Sequence, residues 1–363
     1  VTALPWHAGQ VMPDAFTGAV VLLAWAAASR APGADGTLLL WTFAALLATT
    51  HYTHPILLGA AAAGAVVGQW ATGLDWRAGL RRIGAAALAA AAAIAAMVAA
   101  NGVALDRWVL SPTGGVFLFA RVHEDGLTRA WFERHCGRDA PAALCAERPA
   151  LSGDSQVLLW GDARSPVTRH IWQADDAERW AWSAMLGDAA RGSILAAPGD
   201  FARHAVAGTY AQLGRFAAVD DECPGGCRDR SGGIAFALNR YRPALLSHLD
   251  RSMQVQGTTP KPVVRLVSGA VALAGLLALP IALMAALRRR DGMLAGLLIA
   301  VAVVLVANAA MAGALSDVHD RYQSRVVWLA PLAVLLAAMR LRVRLTLAWG
   351  GGRGRPSTPA TEI

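Results

Sequence analysis

Long apolar segments separated by polar ones constrain the fold of this chain more than any other feature. A helix rises about 1.5 Å per residue, so roughly 17–25 apolar residues are needed to cross about 30 Å of hydrocarbon. With 55% hydrophobic and 16% charged residues, the composition is typical of an integral membrane protein. We count seven apolar segments near this length, at 14–29, 36–50, 54–73, 83–104, 264–287, 292–315 and 325–341. The sequence therefore predicts an all-α fold, a polytopic membrane helix bundle with about seven apolar segments.

Arginines in the short connections predict the orientation of this bundle. Lys and Arg are enriched in the cytoplasmic loops of membrane proteins. If the segments alternate in direction, three arginine clusters fall on one side, which is then cytoplasmic. The clusters comprise Arg77, Arg81 and Arg82; Arg288, Arg289 and Arg290; and Arg340, Arg342, Arg344, Arg353 and Arg355. The outer side then receives residues 105–262, the HYTHP junction at 51–55 and the SDVHDRYQSR stretch at 316–325.

Segment 36–50 is the shortest of the candidates for a complete crossing. It would cross only with local thinning of the bilayer, or would enter and leave on the same side. In the second case the first segment reverses, and Asp14 moves to the cytoplasmic face.

The distribution of charge argues against nucleic acid as a partner. Residues 105–262 contain 18 basic and 18 acidic residues, so the net charge of +8 comes from the rest of the chain. That excess coincides with the arginines that set orientation. We therefore predict the lipid bilayer as partner and no nucleic acid. One lysine against 32 arginines in an alanine-rich chain suggests a GC-rich bacterial genome, and hence the bacterial inner membrane.

Residues 105–262, called the polar segment below, are too polar to span a membrane and too long for a passive loop. We expect a mainly helical periplasmic domain with helices at 174–188 and 200–217, and an amphipathic helix over 114–136 on the membrane surface. Because the chain opens on Val and shows no signal peptide, we expect a fragment without its N-terminal part. The predicted divisions are 1–104, N-terminal transmembrane helices; 105–262, periplasmic domain; 263–345, three C-terminal transmembrane helices; and 346–363, a disordered cytoplasmic tail.

All four cysteines lie in the polar segment: Cys136, Cys145, Cys223 and Cys227. In an oxidising compartment an even number of cysteines indicates disulfides. Their proximity in sequence predicts the pairs Cys136–Cys145 and Cys223–Cys227, with crossed pairings left open. A metal site is the weaker alternative, because the C-x8-C and C-x3-C spacings match no strong zinc pattern.

The stretch SDVHDRYQSR concentrates polar groups between two apolar segments. If Ser316 begins a helical turn, Arg321 and Arg325 share one face, and an arginine pair can hold a phosphate or pyrophosphate. A histidine or carboxylate beside it could transfer a proton. The alternative is an interfacial salt-bridge cluster in which Asp320 pairs with Arg321 or Arg325. The candidate residues are His319 and Asp320 for catalysis, and Arg321, Tyr322, Gln323 and Arg325 for substrate binding.

Three further candidates lie at predicted outer ends of segments. Asp14 could contact substrate or a metal ion, but an Asp before an apolar helix is more often an N-cap. His51 and His54 could bind substrate or a metal, although a helix boundary before Pro55 explains them as well. No motif specifies a cofactor, and a divalent metal ion stays an open alternative.

Several stretches together resemble a known group of membrane enzymes. They are LPWHAGQVMPDAFTGAVVLLAW, HYTHPILLGA, SPTGGVFLFARVHEDG, the C-x8-C segment and GALSDVHDRYQSRVVWLAPL. This layout is similar to that of uncharacterised bacterial multi-span proteins and of the glycosyltransferase C superfamily. The resemblance implies transfer of a sugar from a polyprenyl-phosphate-linked donor to an envelope acceptor on the periplasmic face. It implies a carboxylate that deprotonates the acceptor, with Asp14 in a Pro-Asp pattern found in that superfamily. It also implies arginines that neutralise the departing phosphate.

The resemblance is incomplete at the catalytic acid. In that superfamily this acid normally lies in the first outer loop, which the chain lacks. Asp14 does not simply replace it, so the fragment is expected to need its missing part for activity.

Three functions make different structural predictions. A glycosyltransferase-like enzyme predicts a polar, partly buried cavity lined by Asp14, His51, His54, Arg321 and Arg325. A non-catalytic scaffold or export factor for envelope polysaccharide predicts that these groups pair with each other. A transporter or flippase predicts charges deep within segments, where the sequence has only Asn101 and Asn308 as strongly polar residues. For Asn101 we expect an interhelical hydrogen bond. No ATP-binding loop, G-x-S-x-G or H-E-x-x-H motif is present.

Overall fold

The computed structural model describes residues 13–30, 33, 35–217, 238–239, 241–256, 258 and 260–350. Within these ranges every regular element is a helix, which confirms the all-α prediction for this part of the chain. The helices are α1 (Thr17–Ala28), α2 (Thr37–Ala48), α3 (His54–Trp70), α4 (Trp76–Leu105), α5 (Gly114–Glu124), α6 (Leu127–His135), α7 (Ala142–Glu147), α8 (Ser155–Trp160), α9 (Asp176–Ala196), α10 (Pro198–Leu213), α11 (Leu246–Asp250), α12 (Met253–Gln256), α13 (Lys261–Arg288), α14 (Gly292–Leu315), α15 (Asp320–Val327) and α16 (Leu329–Gly350).

Four helical spans are long and apolar enough to cross a membrane, by length and composition. They are α4, α13, α14 and the continuous stretch Asp320–Arg342 across α15 and α16. Two shorter apolar helices cover Asp14–Ala28 and Thr37–Ala48. These apolar helices indicate membrane association. Each of the seven predicted segments lies largely in a helix, but only these four reach the length and hydropathy of a candidate span in the described residues.

The bundle is held together by close contacts between small residues. Helices α3 and α14 pack along each other, and an added Cβ at Gly68 would lie 2.5 Å from the carbonyl carbon of Ala295. At Gly64 an added Cβ would lie 2.7 Å from the Cα of Ala300. Small side chains allow two backbones to approach in this way, and dispersion contacts between them then stabilise the pair. The bundle core is accordingly rich in fully buried Ala, Val and Leu.

The polar segment has its own hydrophobic core, separate from that of the bundle. Phe119, Phe132, Leu158, Ile171 and Leu186 are among its buried members. The helices expected at 174–188 and 200–217 form as α9 and α10.

The prediction of a single amphipathic helix over 114–136 is wrong. The chain forms two helices, α5 and α6, which are separated at Asp125 and Gly126. Gly126 has φ +77°, a left-handed conformation that glycine adopts without a Cβ clash. The apolar face of α5 packs into the core of the polar segment through Val116 and Phe119, and therefore does not lie on a membrane surface.

The predicted disulfide between Cys136 and Cys145 is present, with a Cα–Cα distance of 5.7 Å. It joins the end of α6 to α7 across a short loop. Cys223 and Cys227, the second predicted pair, lie outside the described residues.

The polar segment docks on the bundle through α10. Gly208 of α10 lies directly against Gly313 of α14, so neither position has room for a side chain. Nearby, the Asp317 carboxylate accepts hydrogen bonds from the Ser155 hydroxyl at 3.0 Å and the Gln156 amide at 2.9 Å. We call this end of the bundle the Asp14 end, and the opposite one the Arg82 end.

Candidate functional site

A buried ion pair at the Asp14 end joins the turn before α1 to α15. Arg325 of α15 donates from Nη1 to Oδ1 of Asp14 at 2.5 Å. The two residues are only 3% and 4% exposed. Burial makes an unpaired charge costly, and a short charge-assisted hydrogen bond offsets that cost.

The start of α15 explains why Arg325 points inward. Residues Ser316 to His319 are not helical, and the helix begins at Asp320. Ser316 therefore does not begin a helical turn, but Arg321 and Arg325 lie four residues apart in α15. In the observed register Gln323, Ser324 and Arg325 are all buried. Arg325 is thus buried in the bundle, whereas Arg321 is partly exposed.

Asn308 of α14 completes the surroundings of Arg325. Its Oδ1 accepts from Arg325 Nη2 at 2.8 Å and Nε at 3.2 Å, and its Nδ2 donates to Gln323 Oε1 at 2.9 Å. Gln323 in turn donates to the Leu305 carbonyl at 3.1 Å. Gln323, a predicted substrate-binding residue, therefore lies inside this buried network. Asn308, the strongly polar residue within segment 292–315, is therefore hydrogen-bonded to Arg325 and Gln323.

Asp14 does not serve as an N-cap, contrary to the simpler expectation. It lies in a 3-10 turn, Pro13–Phe16, that precedes α1. The N-cap of α1 is Phe16, which has no side-chain capping hydrogen bond. The carboxylate faces Arg325 instead, because the turn directs it into the bundle.

His54 starts α3 and is fully buried. The Thr50 hydroxyl donates to the Leu47 carbonyl at 2.7 Å, so it accepts from His54 Nδ1 at 3.1 Å. Nε2 then accepts from the Thr17 hydroxyl at 3.0 Å. His54 is thus a neutral imidazole with both nitrogens occupied, and it lies at the helix boundary predicted before Pro55.

His51 lies in the loop between α2 and α3 and is connected to the ion pair. Arg325 Nη2 donates to the Thr53 hydroxyl at 3.4 Å, and that hydroxyl lies 2.8 Å from His51 Nδ1. The Thr53 backbone N–H also donates to Nδ1 at 3.2 Å, so Nδ1 is an acceptor and Nε2 carries the proton. Burial, and then the charge of Arg325, lower the pKa of His51 to about 4. The ring is therefore neutral at pH 7.

The remaining polar residues of SDVHDRYQSR face the polar segment. His319 Nε2 lies 3.2 Å from the Asp317 carboxylate. This contact is the main reason why the pKa of Asp317 is held well below its ordinary value. Asp320 accepts from the Ala217 N–H at 2.9 Å and lies 3.9 Å from Arg215. Both predicted catalytic residues thus contribute to the junction between the polar segment and the bundle.

Arg321 and Tyr322 form a cation–π pair beside this junction. The guanidinium carbon of Arg321 lies 4.9 Å from the centroid of the Tyr322 ring, and Arg321 Nη2 donates to the phenol oxygen at 3.2 Å. Arg325 approaches the same ring at 5.8 Å. Tyr322 therefore lies between a buried arginine and a partly exposed one.

A groove of about 530 Å³ opens at the same end, between the α2–α3 loop and α4. Its lining contains both apolar and polar side chains. The apolar side chains include Leu46, Ala96, Met97 and Ala100, and the polar ones include Thr49, Thr50, His51, Tyr52 and Asn101. The described residues that line the groove include no carboxylate. The shape and polarity match an amphiphile with a polar head and an apolar chain.

The sequence predicts an interhelical hydrogen bond for Asn101, at the edge of this groove, but the described residues show other partners. Its Nδ2 donates to the carbonyls of Val109 and Leu110, at 2.9 and 3.0 Å. It therefore fixes the loop that leaves α4. Asn101 and the network residue Thr53 escaped the sequence prediction of the site, because their partners are backbone or distant groups.

The predicted site residues are thus brought to one end of the bundle but not into one cavity. His51 lines the groove, whereas Asp14, His54, Gln323 and Arg325 lie in the buried network behind it. Within the described part of the chain, no group of three His, Cys, Asp or Glu side chains is arranged to hold a metal ion. Comparison with protein-family models, curated proteins and solved structures finds no significant match to this chain.

Proposed function

We propose that this chain is an integral membrane, glycosyltransferase-like protein of the bacterial inner membrane. It handles a polyprenyl-phosphate-linked sugar at the periplasmic side of a bundle with seven apolar segments, and the polar segment is its periplasmic domain. The single observation that carries this proposal is the groove at the Asp14 end, whose lining combines polar and apolar side chains. A sugar phosphate needs the polar side chains, and its isoprenoid chain needs the apolar ones.

His51 is the residue of this groove with the most defined chemistry. Its Nδ1 accepts from Thr53, so its Nε2–H is available as a donor to a phosphate or sugar oxygen. Because the pKa of His51 is lowered to about 4, the ring donates as a neutral imidazole at pH 7. We assign it a role in orienting the polar head of the substrate. Arg321 is proposed to neutralise charge on the departing phosphate.

The experiment compares variants of the full gene in its bacterial host. For His51→Ala and for Arg321→Ala, we expect loss of one envelope sugar and accumulation of its lipid-linked donor, both measured by mass spectrometry. His248→Ala is the matched control, because His248 is an exposed histidine distant in sequence from both regions. Unchanged glycans with normal membrane levels of both variants would contradict the proposal.

A second candidate, a non-catalytic component of envelope polysaccharide assembly, is favoured by one observation. Asp14, which the resemblance suggests as a catalytic base, is paired with Arg325 inside the bundle. The arginine compensates the charge of this carboxylate, which makes it a weaker base. The double variant Asp14→Asn with Arg325→Gln tests whether Asp14 is the base. If it folds and retains the sugar, Asp14 is not the base, and a scaffold role or a base elsewhere in the complete protein follows.

A further inference from the structure

A second cavity, of about 430 Å³, lies at the Arg82 end of the bundle. Its described lining comes from residues around the end of α1 and the start of α2, and from the first turns of α4. Its lining includes three arginines from two separate parts of the chain: Arg30, Arg81 and Arg82. This cavity is at the opposite end from the groove, so it is independent of the proposed function.

Hydrogen bonds to backbone and amide oxygens hold two of these arginines at the cavity. Arg82 donates from Nη1 to the Ala28 carbonyl at 3.0 Å and to the Gln69 side-chain oxygen. Arg30 donates from Nη1 to the Asp35 carbonyl at 3.0 Å. These acceptors are neutral oxygens, so they fix the positions of the guanidinium groups without cancelling their charge.

The positive charge at this cavity is only weakly compensated. Among the described residues, no carboxylate lies within ion-pair distance of Arg30, Arg81 or Arg82. Asp35 is the one carboxylate in the described lining, and its recorded contact with Arg30 is through the backbone oxygen. In addition, the Nε atom of Arg82 is buried and has no hydrogen-bond acceptor in the part of the chain that the structure describes. A buried donor without an acceptor is unfavourable, and a water molecule or an anion in the cavity would supply one.

Orientation in the membrane does not explain this arrangement. The tendency of arginines to stay on the cytoplasmic side requires only that they lie near helix ends. It does not require residues 30 and 81–82 to converge on one cavity. The lining also includes apolar side chains of α2, with Trp41 buried and Leu38 80% exposed.

We infer that this cavity binds a phosphate group, held by Arg30, Arg81 and Arg82. Basic pockets between membrane helices bind the head groups of anionic lipids, and arginine suits phosphate oxygens by its planar pattern of donors. A lipid would place its acyl chain along Leu38. Free phosphate is the other source of the same chemistry.

The test is native mass spectrometry of the purified chain with phosphatidylglycerol, phosphatidylcholine or inorganic phosphate. We expect phosphatidylglycerol to be retained in preference to phosphatidylcholine. The variant Arg30→Gln with Arg81→Gln should lose this preference by roughly fivefold for each arginine. Arg82 is left intact because it also closes the end of α1.

The matched control is Arg77→Gln with Arg288→Gln, which removes the same charge from exposed positions at the same end. It should keep the preference, and both double variants should keep the melting temperature of the native chain. An equal loss of the phosphatidylglycerol preference in both double variants would show general attraction of anions and overturn the site. The site would also be overturned if the native chain showed no preference and bound no phosphate. Displacement of phosphatidylglycerol by millimolar inorganic phosphate would support a phosphate site for a soluble ligand, and resistance to it would support a lipid.

Discussion

At the scale of single residues, the pair formed by Asp14 and Arg325 is the strongest constraint on the Asp14 end. Each charge is almost completely buried, so each needs the other. Asn308 and Thr53 satisfy further N–H groups of the guanidinium. The pair therefore fixes the turn before α1 against α15 and sets the position of the loop that carries His51.

Removal of one partner should be more damaging than removal of both. We expect Arg325→Met to lower the free energy of unfolding by about 3–5 kcal/mol, because Asp14 is then buried without a counter-charge. Asp14→Leu combined with Arg325→Met should recover part of this loss. Unfolding in detergent, followed by circular dichroism, measures both.

Arg191→Ala is the control, because its pair with Asp188 is exposed. It should change the free energy of unfolding by no more than about 0.5 kcal/mol. If the losses of unfolding free energy from Asp14→Leu alone and Arg325→Met alone simply add in the double variant, the two charges are not coupled and the interpretation is wrong.

His51 should make the free energy of unfolding depend on pH at values above those at which carboxylates titrate. Its pKa in the folded state is about 4, below the 6.5 of an unperturbed histidine, so the unfolded chain binds more protons between these values. Its contribution is therefore complete above pH 6.5 and declines as the pH falls towards 4. Between pH 7 and 5 we expect a loss of about 1–2 kcal/mol.

The variant His51→Asn should reduce this slope, since an amide oxygen can still accept from the Thr53 N–H and does not titrate. Part of the slope should persist, because burial also lowers the pKa of His123 and because His54, buried as a neutral imidazole, can take up a proton when the chain unfolds. His248→Asn, at an exposed position, should leave the slope as it is. An identical slope for the native chain and His51→Asn would refute this assignment.

At the scale of elements, the contact between α3 and α14 depends on glycine. We expect Gly68→Ala to destabilise the bundle by about 1–3 kcal/mol, because its new methyl group would overlap the backbone of Ala295. Gly59→Ala, in the same helix, is the control: nothing lies within 4 Å of its added Cβ. That change should be neutral, or stabilising by up to about 1 kcal/mol through helix propensity. Thermal unfolding in detergent compares them, and equal effects would mean that this contact is not tight.

The helices and the observed disulfide could be predicted because their signals are local. Runs of apolar residues predicted the helices, and proximity predicted Cys136–Cys145. The break between α5 and α6 had a local signal too, the Asp-Gly pair at 125–126. The partner of Arg325 had none, because Asp14 is 311 positions away and no periodicity links them. The sequence thus located the polar residues of the site but could not show which would be buried together.

At the scale of the whole molecule, the main prediction is which end of the bundle faces outward. The polar segment docks beside Asp317 and Gly313, at the same end as the groove. The arginines at 30, 77, 81, 82 and 288–290 lie at or near the opposite ends of their helices. Both features agree with an outward-facing Asp14 end.

The single lysine of the chain, Lys261, allows a direct test. It lies at the start of α13, near the end of the polar segment, and should react with a membrane-impermeant amine reagent on intact cells. Lys261→Arg should remove that labelling apart from the chain's amino terminus.

Arg289→Lys in the Lys261→Arg background should react only after the membrane is opened, because the turn at 288–290 is predicted to be cytoplasmic. Arg251→Lys in that background repeats the outer measurement at an exposed position, and so separates low accessibility of Lys261 from a wrong orientation. Labelling of Arg289→Lys on intact cells, with none at 251 or 261, would invert the bundle and place the groove on the cytoplasmic side, where a periplasmic sugar transfer could not occur.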